Sequence, residues 1–216
     1  MCFDDRHRKV YIADAMGIVR CFNVNSGSLI NIIHTCDVSG DEHATLNDST
    51  DLISKEILAM RYYTHADSFI LVTCHINDTV KAWDVSQSES TELIKISQGG
   101  HSNENISVME ISDHLCMFAT GSFAGEIVVW DFETFLPIGQ LKGHKSTVKS
   151  IQFVEGHALL VSGCGSGIVC VHSVRGGPVR LINTCLGKFV NLELHGESYL
   201  NIGIASMLIF YRKNED

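Results

Sequence analysis

Apolar residues alternate with polar or small ones in short runs along most of this chain, and the runs are separated by turns. That period of two belongs to half-buried strands rather than to helices. The fullest instance is Thr120–Asp131, TGSFAGEIVVWD, in which a small-residue step, a Gly turn and an alternating run end in Trp-Asp. Comparable runs follow turns at GIVRCFNV (Gly17–Val24), DTVKAWDV (Asp78–Val85), GIVCVHSV (Gly167–Val174) and SMLIFYR (Ser206–Arg212). Each carries an aromatic or His anchor: Phe22, Trp83, Trp130, His172 and Phe210.

By subtraction, successive anchors are 61, 47, 42 and 38 residues apart. Apart from the first step, these lie near the period of about 40–45 residues found in propeller blades. Strand signals such as SVMEI (Ser107–Ile111) and LCMFATG (Leu115–Gly121) precede an anchor, and PIGQL (Pro137–Leu141) follows one, so each unit holds four strands. The expected fold is all-β, with blades over 1–35, 55–98, 105–142, 147–186 and 188–216 and a loop insertion over 36–55. The first blade begins partway through its inner strand and the last lacks an outer strand. A seven-bladed ring needs on the order of 290 residues at this period, so the expectation is part of a larger propeller. Five short blades closing into a small ring, with N-terminal strands completing the last, is the other arrangement the pattern allows.

Gly-His occurs at Gly100-His101 and Gly143-His144, and the anchors Trp130 and His172 lie 29 and 28 residues beyond those histidines. With these residues the chain resembles the WD-repeat family of β-propellers, the third unit most fully and Val80–Asp84 next. The resemblance implies structural repeat positions at His101, His144, Trp83, Asp84, Trp130 and Asp131. It also implies a turn Asp bracing the Gly-His histidine, but the matching places hold Met16, Asn77, Ala124 and Ser166. The bracing is therefore expected to be incomplete, with stability resting on apolar packing between blades. More narrowly, GEIVVWDFETFLPIGQLKGH, LLVSGCGSGIVCVHSVRG and INTCLGKFVN look like the large EF-hand and WD-repeat proteins of cilia and flagella. That likeness, best over Gly125–Asn191, implies a role in structural attachment within the axoneme, with the EF-hands outside this chain.

Charge narrows the partners. The 16 basic and 25 acidic residues leave a formal charge of −9, which opposes binding to nucleic acid and to anionic membrane surfaces. No apolar run approaches the ~20 residues of a membrane helix. The start, MCFDDRHRKV, has neither a signal-peptide core nor a transit pattern, so cytoplasmic residence is expected, within a cilium or flagellum if the narrower likeness holds. Eight cysteines occur without a C-x-x-C pair, and they read as buried small hydrophobes rather than metal ligands or a redox pair.

Candidate chemistry is sparse. Gly163–Gly167, GCGSG, is followed by an alternating β-branched run, so it is a hairpin turn rather than a phosphate loop, which needs a following helix. The histidines lack the paired spacing of metal ligands, and neither Cys164 nor Cys170 has a base assigned to it by the sequence. No catalytic residue, cofactor or metal is expected. The insertion is rich in acids, but from Asp37 its Gly arrives fourth, which does not fit an EF-hand loop. Asp41, Glu42 and Asp48 in the insertion, with Asn103 and Glu104 at the next equivalent connection, are the candidate contacts with protein partners. The function expected is a non-enzymatic scaffold; a ubiquitin-ligase or RNA-processing adaptor, or a propeller holding a small ligand in its channel, are the rival classes.

Overall fold

The computed structural model describes residues 1–35, 56–65, 68–76, 78–87, 91–102, 104–154, 158–174, 180–186, 189–195, 199–204 and 207–212. The chain divides into two compact units, Met1–Gly99 and Gly100–Asp216. In the first, β1 (Cys2–Phe3), β2 (Lys9–Ala13), β3 (Ile18–Asn23) and β4 (Leu29–His34) form one sheet. A second holds β5 (Ile57–His65), β6 (Ser68–His75), β7 (Thr79–Asp84) and β8 (Glu92–Gln98).

In the second unit, β9 (Ile106–Ser112), β10 (Met117–Ser122), β11 (Ile127–Asp131) and β12 (Pro137–Leu141) make the third sheet. The fourth comprises β13 (Val148–Val154), β14 (Leu159–Cys164), β15 (Ile168–Ser173) and β16 (Arg180–Leu186). A three-stranded sheet follows: β17 (Phe189–His195), β18 (Tyr199–Ile204) and β19 (Met207–Arg212). Every sheet is an antiparallel meander, as expected of propeller blades. The opening strand β1 is only two residues long, so the first sheet is short on its inner side.

One irregularity recurs. The outer strand skips a residue opposite the anchor in all four four-stranded sheets, between Cys21 and Phe22, Ala82 and Trp83, Val129 and Trp130, and Val171 and His172. A bulge of this kind bends the strand and raises its twist. The turn before the anchor strand also recurs, with left-handed backbone at Gly17, Gly125 and Gly167 and at Asp78 in the second sheet (φ 56°). At Gly125 (φ 92°) a Cβ would lie 2.9 Å from the Ser146 carbonyl oxygen, so glycine is required by both conformation and space.

Strand alternation gives each sheet an anchor face and an opposite face. Val10, Leu71, Phe118 and Leu160 pair across the strand with the four anchors, while Tyr11 pairs with Cys21 and Ala119 with Val129 on the other side. In the first unit, Tyr11, Val19, Cys21 and Ile33 pack against Met60, Leu71 and Trp83. In the second, Ala119, Ile127 and Val129 pack against Ile151, Phe153 and Leu160. Both cores thus join the opposite face of one sheet to the anchor face of the next. The first sheet's own anchor face is different: Phe3, Ile12, Leu29 and Ile32 are 41–50% exposed.

Candidate functional site

The polar residues that repeat converge on the anchors. In the third sheet the Trp130 indole Nε1 donates to the Thr120 hydroxyl at 2.7 Å, and that hydroxyl lies 2.8 Å from His101 Nε2. All three side chains are buried. Phe118 stacks flat on Trp130, 5.6 Å between centroids. Gly100 lies against the Cζ2–Cη2 edge of the indole, where a Cβ would come within 2.1 Å of the ring. The Gly-His pair therefore seats its histidine only because glycine leaves room for the tryptophan.

Burial pushes the His101 imidazole down to about 4, against an opposing pull from Glu126, so the ring is neutral near pH 7. Glu126 lies 3.9 Å from His101 Nδ1. It accepts hydrogen bonds from the Ser102 amide and hydroxyl, each at 2.9 Å, and the Ser102 amide bond leads the causes that hold its carboxyl below the usual range. A carboxylate beside Nδ1 favours the proton there, leaving Nε2 to accept from Thr120. The bracing was expected to be incomplete, and in this sheet the brace comes from a different residue. Ala124 does occupy the matching turn place, but a longer acid two residues further on reaches back to the Gly-His segment.

The second sheet builds the same contact from another histidine. Trp83 Nε1 donates to Thr73 Oγ1 at 3.0 Å, and Thr73 Oγ1 lies 3.1 Å from His75 Nε2. His75 belongs to the end of β6 and is buried. The sequence reading left it without a role because it sits in no Gly-His pair. The available signal was Thr73, at the same repeat position as Thr120, two residues from a histidine.

In the fourth sheet His144 Nε2 lies 2.8 Å from Ser162 Oγ, but His172 stands in place of the tryptophan and turns away, with Nε2 3.3 Å from the Lys142 carbonyl oxygen. Among the described residues, the buried His172 Nδ1 has no hydrogen-bond partner. Burial lowers both imidazoles, His144 to about 4, with His172 pushing His144 further the same way. Cys170 Sγ is 3.9 Å from His144 Nδ1, yet Cys170 and Ser162 are sealed from solvent. The first sheet has Ile12, 43% exposed, where the others carry Thr or Ser, so it has no hydroxyl at this place.

The Asp of Trp-Asp holds the next turn. Asp131 Oδ1 accepts from the Thr134 amide and hydroxyl, both at 2.7 Å, and Asp84 does the same for the Ser86 amide (2.8 Å) and hydroxyl. Asn23 fills this place in the first sheet. Of the candidate partner contacts, Glu104 is exposed just before β9, whereas Asp41, Glu42, Asp48 and Asn103 lie outside the described residues. Cys21, Cys74, Cys164 and Cys170 are buried as expected, but Cys116 is exposed, in the turn before β10. Among the described residues no group of three or more His, Cys, Asp or Glu is arranged to hold a metal ion, and no helix is long and apolar enough to cross a membrane.

The family model "WD domain, G-beta repeat" (WD40) matches residues 135–173. Among human proteins, the chain is 29% identical to Kinesin-like protein KIF21A over 72 residues, covering 33% of this chain and 4% of that protein. It is 24% identical to Apoptotic protease-activating factor 1 over 115 residues, 53% of this chain and 9% of that one. The matched stretches are thus a small part of those curated relatives. The crystal structure of the computationally designed Ika8 protein superposes with a TM-score of 0.67 at 17% identity, over 95% of this chain and 56% of the designed one. The likeness to that structure is one of fold. Residues 135–173 carry a WD40 repeat, within an all-β succession of antiparallel sheets of the kind WD-repeat propellers stack.

Proposed function

We propose that this chain is the blade-bearing part of a non-enzymatic scaffold that binds other proteins through the connections between its sheets. One observation carries the reading: the repeated polar residues are bonded to their own sheet or to its Gly-His segment, while the connecting segments differ in charge and length. A fold that spends its repeated chemistry on bracing leaves recognition to its loops. Asp41, Glu42 and Asp48, with Asn103 and the exposed Glu104, are the contacts this reading offers. The exposed anchor face of the first sheet is offered to a further blade, since both packed cores place an opposite face against an anchor face.

The narrower setting, attachment within an axoneme in the cytoplasm of a ciliated cell, rests on the wording of Gly125–Asn191. The test is co-purification of the native gene product with mass spectrometry of its partners. Recovery of tubulin or dynein-arm components supports the axonemal setting, and other stable protein partners support the scaffold while removing that setting. A product recovered without any protein partner overturns both.

A further inference from the structure

In the first unit, on the side of its sheets away from the Gly17 and Asp78 turns, the β1–β2 turn faces the β5–β6 strands across a groove of about 220 Å³. This is smaller than the roughly 300–1,000 Å³ of small-molecule sites, a size suited to one side chain of an extended segment. Its walls include Tyr62 and Phe69, and its lining carries three cations, Arg6, Arg8 and Lys9, against two carboxylates, Asp4 and Asp5. Tyr62 is fixed by stacking on Tyr11, 5.7 Å between centroids.

The charge on this rim is unspent. Asp4 is buried and committed to its own turn, accepting from the Arg8 and Lys9 amides at 2.6 and 2.8 Å. Those bonds, with Asp4 N–H to the Lys9 carbonyl at 3.0 Å and Val24 N–H to the Arg8 carbonyl at 2.8 Å, hold the turn in one conformation. Among the described residues, no hydrogen bond or ion pair engages the side chains of Arg6, Arg8 or Lys9. Arg6, Arg8 and Asp5 are exposed. A rigid turn therefore presents a cationic cluster over aromatic walls on a chain whose formal charge is −9.

We propose that this groove binds an acidic linear peptide, its carboxylates meeting Arg6, Arg8 and Lys9 and one aromatic or aliphatic side chain entering between Tyr62 and Phe69. Arginine suits planar carboxylates through paired donors, and a pre-set turn lowers the ordering cost of binding. Nucleic acid is disfavoured because the whole-chain charge repels an extended polyanion. The site is independent of the candidate contacts around the acidic insertion, and it selects partners of the opposite charge.

Fluorescence anisotropy on the full chain tests this, using a labelled peptide of Asp and Glu residues around a central Phe. Binding is expected to weaken about tenfold or more in Arg6→Glu/Arg8→Glu, to strengthen about twofold in Asp5→Lys, and to fall with added salt. Among the described residues Arg6 and Arg8 make no side-chain hydrogen bond or ion pair, and the turn is held by Asp4 and backbone bonds, so circular dichroism should be unchanged in the double variant. An Asn/Gln version of the peptide should not bind, and replacing its Phe by Ser should weaken it several-fold. Equal binding to both protein variants, equal binding of the Asn/Gln peptide, or no binding to the unaltered chain overturns the proposal. Full displacement by millimolar inorganic phosphate, with no effect of the Phe, reduces the groove to an anion site and also overturns it.

Discussion

The third and fourth sheets carry the same histidine at the same place and differ in what stands at the anchor. In the third, an indole fills the space under Gly100, stacks on Phe118 and donates to Thr120, whose hydroxyl meets His101. In the fourth, a smaller imidazole turns to the Lys142 carbonyl while Ser162 meets His144, and among the described residues His172 Nδ1 has no hydrogen-bond partner. The difference separates two ways of holding one strand pattern. Both sheets share one apolar core, Ala119, Ile127 and Val129 against Ile151, Phe153 and Leu160; the third adds a large side chain and the bonds around it, which the fourth does without.

The largest effect should come from removing the indole. Trp130→Ala is expected to destabilise the chain by about 3–5 kcal/mol, and His172→Ala by about 1–2 kcal/mol since it removes a smaller ring and one long hydrogen bond. Urea unfolding of both variants checks this, and equal losses would erase the contrast. Acid comes next. His101 and His144 are held near 4 in the folded chain, below the ordinary histidine value, so the unfolded chain binds their protons more tightly. Their stability is full above about pH 6.5 and is lost as pH falls towards 4, by about 2–3 kcal/mol per histidine. Burial lowers His172 too, so acid works against the fourth sheet through two imidazoles where the third has one. Hydrogen exchange at pH 7 and pH 5 should therefore show the fourth sheet losing protection more steeply.

Grafting the missing anchor is a smaller test in the opposite direction. His172→Trp should stabilise by about 1–2 kcal/mol through added apolar burial and an indole bond to Ser162, read as a raised urea midpoint. Smallest is Glu126→Gln, expected to cost about 0.5–1 kcal/mol because Ser102 is exposed and keeps neutral partners. The same variant should lower the His101 pKa further, since the Glu126 charge is what raises it. An NMR titration of the imidazole would show that shift, and an unmoved titration would separate Glu126 from the network.

How far this was legible depended on periodicity. Anchors, turns and strand alternation follow from local backbone geometry, so the sheets and buried Trp83 and Trp130 were readable from residue order. The bracing atoms were not, because they meet across sequence gaps that no period encodes. Glu126 substitutes for an acid two places earlier because its longer side chain reaches back to Ser102, and His75 replaces a Gly-His histidine from inside its own strand. The groove under the first turn escaped for another reason: Arg6, Arg8 and Lys9 are brought together with its walls only by Tyr62 of β5 and Phe69 of β6, more than fifty residues further along the chain.

The matched repeat, residues 135–173, does not coincide with a sheet. It takes in β12, the outer strand of the third sheet, and then β13, β14 and β15 of the fourth. Excising that stretch would leave β9, β10 and β11 running directly into β16, which already occupies the outer position of its own sheet. The join would restore a four-stranded meander instead of leaving two broken ones. Units copied or lost at this boundary are therefore self-mending, and a gene can lengthen or shorten such an array in whole steps without ever encoding a stray strand.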